Sequence, residues 1–103
     1  MSMSVKELMK FAHQNKASDI HISVGRPPTF RMSGGLKPLK VPPLTASDTV
    51  AMFKEIAPEK SVKELQEGGS ADFGYAYEDK CRFRCAALKA KGVIGMVLRL
   101  IPS

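Results

Sequence analysis

Residues 82–103 read RFRCAALKAKGVIGMVLRLIPS, and the alternation within them decides the fold. Lys91-Gly92 has the composition of a two-residue hairpin turn, which sets Ala90 opposite Val93. Counting back along both strands places Arg84 opposite Arg99 on one face, with Arg82 on the same side. The other face carries Cys81, Phe83, Cys85 and Ala87 against Leu100, Leu98 and Met96 and is uniformly apolar. A one-residue slip would set Arg84 beside Leu98 or Leu100 and destroy that separation, so side-chain chemistry specifies the register. The hairpin therefore has a core face and a cationic face.

Like charges directly across a strand pair repel, so Arg84 and Arg99, with Arg82 beside them, need a compensating anion. Two sources fit. One is a carboxylate of the same domain, with Asp72, Glu78 and Asp79 on the preceding hairpin as candidates. The other is an external phosphate, which suits the planar, permanently charged guanidinium.

Upstream, SADFGYAYE (70–78) alternates Ala71, Phe73, Tyr75 and Tyr77 on one side and predicts a further strand, with EDK turning into Cys81. Near the N-terminus, SVKE (4–7) matches a capping box that opens a helix with an apolar stripe of Val5, Leu8, Met9 and Ala12. DIHISVG (19–25) alternates Ile20, Ile22 and Val24 with polar residues. TFRMSGGLKPLKV (29–41) reads as two short strands about a Ser33-Gly34-Gly35 turn, the second at an edge because of Pro38. After the proline-rich VPPL, Thr45 and Asp48 offer a second N-cap. Val50, Met52, Phe53 and Ile56 form that helix's apolar face. Pro58 begins a third helix that Gly68 and Gly69 end. The order α-β-β-β-α-α-β-β-β predicts an α+β domain with about six antiparallel strands and three segregated helices.

The chain has 103 residues, 44% hydrophobic and 25% charged, which is one ordinary globular domain over 1–103. No secretory signal and no membrane-length apolar run occurs, so the expected location is cytoplasmic. Cys81 and Cys85 lie about 13 Å apart on an extended strand and cannot bridge; they read as buried free thiols. No zinc-ligand spacing accompanies them, and no metal site is expected. His21 sits on the polar side of its strand without a second ligand and reads as a structural hydrogen-bonding residue. His13 reads as a solvated helix residue, and Ser18 and Asp19 as capping or turn residues. The net charge of +6 permits an anionic partner. Tyr75 and Tyr77 alternate with small residues as core aromatics do, so nucleic acid is not expected. GxxxxGK[ST] is missing, and no catalytic residue is assigned in this chain.

Residues 17–39, ASDIHISVGRPPTFRMSGGLKPL, together with the RFR element and the closing R-x-IPS, resemble the N-terminal region of the type IV pilus retraction ATPases and the related type II secretion ATPases. The similarity runs from Ala17 to Ser103. Lys91 stands where that family often has arginine, and Cys85-Ala86 follow RFR without the family's asparagine. The resemblance implies a PAS-like domain that regulates and helps to assemble a hexameric motor. It also implies a separate C-terminal RecA-like domain that holds ATP and magnesium. Arg84 and Arg99 are the residues that match the family's nucleotide-facing arginines, with Arg82 the weaker candidate. No tight nucleotide binding is expected of this domain alone. The implied partners are the chain's own catalytic domain, neighbouring subunits of a homohexamer, and inner-membrane platform proteins at which the motor is peripherally placed. A freestanding PAS-like module that binds a small ligand or a protein is the alternative.

Overall fold

The computed structural model describes residues 3–102. Three helices, α1 (Val5–Gln14), α2 (Ala46–Ile56) and α3 (Glu59–Gly68), join six strands: β1 (Asp19–Ile22), β2 (Thr29–Met32), β3 (Gly35–Pro38), β4 (Ser70–Tyr77), β5 (Cys81–Ala90) and β6 (Val93–Ile101). The strands form one sheet in the order β3-β2-β1-β6-β5-β4, antiparallel at every pairing. The element order is the expected one.

Local chemistry explains the boundaries. Ser4 and Glu7 make the capping box of α1, and Glu55 of α2 adds an acceptor to it, taking bonds from the Ser4 hydroxyl at 2.8 Å and the Val5 amide at 2.9 Å. Thr45 and Asp48 repeat the box at α2, and Gly69, left-handed at φ 82°, closes α3. Lys91 and Gly92 both have positive φ, 53° and 80°, the signature of a type I′ turn. That turn locks Ala90 opposite Val93 and Arg84 opposite Arg99.

All three helices lie on one side of the sheet. Ile20, Ile22, Phe30, Phe83, Cys85 and Leu98 point toward them and are completely buried with Val5, Leu8, Met9, Met52 and Phe53. Aromatic pairs pin the layers: Phe11 meets Phe30 at 4.6 Å, and Phe53 meets Phe73 edge-on at 6.0 Å.

Two local expectations change. The hairpin between β2 and β3 pairs Met32 with Gly35, so its turn is Ser33-Gly34 alone, and Gly35, at φ 120°, begins the strand. In α2 the fourth buried position is Thr49 rather than Val50. Thr49 reaches the core because its hydroxyl bonds back to the Ala46 carbonyl at 3.2 Å, which removes the cost of burying it.

Candidate functional site

The sheet's other face is where β5 and β6 present their cations. Arg84 and Arg99 are cross-strand partners there, and the row continues through Asp19 of β1 to Arg31 of β2 on one side and to Gly74 of β4 on the other. Arg82 lies two residues from Arg84 on the same face of β5, between Ala76 and Ile101. Four arginines thus share this region with one buried carboxylate. All four arginines are exposed.

That carboxylate is Asp19, not Asp72, Glu78 or Asp79, and not as a turn residue. The Arg99 Nε donates to its Oδ1 at 3.1 Å, the Ser18 hydroxyl donates to its Oδ2 at 2.8 Å, and the Arg31 Nε stands 3.8 Å from Oδ2. Its side chain is only 7% exposed whereas that of Arg99 is 72% exposed, so the acid is fixed and the base keeps most of its surface in water. Burial by itself would raise the Asp19 pKa; the Ser18 hydroxyl, the Arg99 hydrogen bond and charge, and the charge of His21 outweigh it and hold the carboxyl below its usual value. The acidic candidates failed for a topological reason. They belong to β4 and its turn, on the far side of β5 from Arg99, whereas β1 lies directly against β6.

The two members of the arginine pair therefore differ. Arg99 is anchored through Nε, and its terminal nitrogens make no hydrogen bond among the described residues. Arg84 and Arg82 make no hydrogen bond or ion pair among the described residues. Among the described residues, repulsion across the strand pair is offset at Arg99 and not at Arg84.

Other expected residues take up structural places. Cys81 and Cys85 are buried free thiols on the core face, and burial pushes both thiol pKa values up, that of Cys85 to about 12. His21, expected as a structural hydrogen-bonding residue, instead has its Nε2 buried without a partner among the described residues. Its cross-strand neighbour Thr29 has a hydroxyl already donated to the Pro27 carbonyl at 3.0 Å. His13 is half-buried, its ring 6.3 Å from that of Tyr77. Among the described residues no group of acidic, histidine or cysteine side chains has metal-binding geometry. No described helix is long and apolar enough to cross a membrane.

Two residues of the site escaped the sequence. Asp19 reads there as a capping or turn residue at the first polar position of its strand, and Gly74 only as a small residue between aromatics. Neither signal says which strand would lie alongside.

No protein-family model matches the chain. Over 101 residues, 98% of its length, it is 34% identical to the type IV pilus retraction ATPase PilT of Pseudomonas aeruginosa, of which it covers 29%. It superposes with a TM-score of 0.89 on a crystal structure of the pilus retraction motor PilT with bound ADP, at 34% identity, covering 99% of this chain and 30% of that one. The ATPase DotB of Legionella pneumophila shares the fold, with a TM-score of 0.81 at 22% identity over 99% of this chain and 31% of that one. The chain thus spans under a third of the length of these relatives.

Proposed function

The chain resembles, from end to end, the N-terminal domain of a PilT-type ATPase, and on that premise we propose that it is the regulatory and assembly domain of a larger pilus or secretion motor. Its working surface is the open sheet face. Arg84 and Arg99 reach the terminal phosphates of ATP, with its magnesium, held by a RecA-like domain beyond this chain. The observation that carries this reading is the cross-strand Arg84–Arg99 pair, exposed and offset by a single carboxylate. The relative solved with ADP supports a nucleotide as the anion.

The chemistry asked of the arginines is electrostatic. Charge that develops on the transferred phosphoryl group is met by guanidinium donors on a rigid sheet, so little reorganisation accompanies the step. Arg99, preset by Asp19, offers its terminal nitrogens in a fixed direction; Arg84, unpaired, is drawn to the phosphate. Loss of the γ-phosphate releases both contacts and lets the domain swing, which converts hydrolysis into relative domain motion. The assembly role places each domain against a neighbouring subunit of a homohexameric ring by heterologous contacts, with pilus or secretion platform proteins at the inner membrane as the further partners.

The test is ATP hydrolysis by the full-length protein with Arg84→Gln and Arg99→Gln. Loss of turnover on the order of a thousandfold is expected, as for arginine fingers elsewhere. Unchanged hydrolysis with both replaced would overturn the reading.

A further inference from the structure

Gly74 is conspicuous in the middle of β4. A glycine inside a strand weakens it and commonly marks a close approach by another group. Its φ is not positive, so no turn requires it. The approaching group here is Arg82. A Cβ built at position 74 would stand 3.1 Å from the Arg82 Nη2, with only the Phe83 carbonyl, at 3.9 Å, otherwise near. The guanidinium of Arg82 is therefore folded across β4, over the notch that glycine leaves. Arg84 is the direct cross-strand partner of Gly74, so both arginines border the same notch. A shallow cavity of about 270 Å³ opens there, lined by Asp72, Gly74, Arg82, Arg84 and Ile101.

We propose that the Arg82 guanidinium, lying over the Gly74 notch, and the neighbouring Arg84 form an oxyanion seat for a phosphate group, and that Arg82 binds it directly. This deepens the nucleotide reading above and rests on it for the identity of the ligand. It adds Arg82 to that contact, from the side of Arg84 opposite Arg99, which Asp19 holds. Two guanidiniums without a protein partner among the described residues border the notch, and their planar donors suit a tetrahedral oxyanion. Asp72 is on the same face of β4, two residues before Gly74 and opposite Ala86. Its carboxylate pairs with neither arginine among the described residues and opposes an incoming anion, which supplies a test of opposite sign.

The probe is inorganic pyrophosphate titrated into the 103-residue chain, followed by backbone and arginine Nε resonances at near-physiological salt. Weak binding with shifts concentrated at Gly74, Arg82 and Arg84 is expected. Arg82→Gln should weaken it about tenfold, the loss of one charge-assisted contact. Gly74→Ala should weaken it while leaving the melting temperature unchanged or raised, because only a flexible guanidinium tip must move. Asp72→Asn should tighten it. Shifts spread over the lysines at large, no localised shift, or indifference to Arg82→Gln and Gly74→Ala would each overturn the seat. The nucleotide reading fails separately, through Arg84 and Arg99 in the full-length enzyme. If those two abolish hydrolysis while Arg82→Gln leaves pyrophosphate binding untouched, the reading survives and the seat does not.

Discussion

The two faces of β5 belong to one strand and answer to different physics. On the covered face Cys81, Phe83, Cys85 and Ala87 keep at most 5% of their surface in water, and their identities are dictated by volume and polarity. On the other face Arg82, Arg84, Ala86 and Leu88 remain exposed, Leu88 by 60%, so nothing in folding asks for those residues. Phe83 and Arg84 are adjacent in sequence, yet one is accounted for by stability alone and the other is not. A residue that folding does not require, at a costly like-charge position, is where function is to be sought.

The sharpest way to break this contrast is to exchange its consequences. Phe83→Ala should destabilise the domain by about 3–5 kcal/mol, because a large buried ring leaves a cavity, whereas Arg84→Gln should stay within about 0.5 kcal/mol of the parent. Urea unfolding followed by circular dichroism measures both. A large loss at Arg84 would mean that the open face is structural after all.

Asp19 joins the two regimes, being buried on the face where the cations lie. Asp19→Asn should cost about 1 kcal/mol, a modest figure because its partner Arg99 is largely exposed and screened. The pH dependence follows from its depressed pKa. Below the unfolded value of 3.8 the unfolded chain takes up the proton first. The stabilisation is therefore complete above that value and is lost as the pH falls through the lower folded value. Stability curves of wild type and the asparagine variant should converge in acid; parallel curves would sink the account.

The covered face can also be probed chemically. With both thiol pKa values raised and both groups buried, neither Cys81 nor Cys85 should react with iodoacetamide at pH 8 in the folded chain, and both should react in denaturant. Intact mass spectrometry reads the result, and labelling of the native chain would show that the face opens. The smallest effect is expected at Leu88→Ser, within about 0.5 kcal/mol, since this leucine is already mostly in water. A larger loss would place Leu88 in a contact of the fold.

Much of this was legible in the sequence where the determining interactions are local. Capping boxes at Ser4 and Thr45 fix helix starts within four residues, and Gly69 fixes a helix end by its own backbone freedom. The Arg84–Arg99 pairing followed from a two-residue turn and a period of two, both short-range rules. Thr49 and the Ser33-Gly34 turn each depart by one position from the pattern that alternation and helical spacing predict. The departures arise because a threonine can satisfy its hydroxyl on its own helix and because the turn is decided by which pair closes it.

The partner of Arg99 is different in kind. Asp19 lies 80 residues away in the chain and meets it only because β1 inserts beside β6, at the centre of the sheet. Periodicity assigns a residue to a face but not a strand to a neighbour, and Asp72, nearer in sequence, was as good a candidate on charge alone. Likewise the reach of Arg82 across Gly74 depends on a side-chain direction that no spacing encodes. The sequence by itself determined the elements, the core face and the cation pair, because turns, caps and alternation act over a few residues. Tertiary structure alone decided which charge is compensated and which is not, because that depends on strand order.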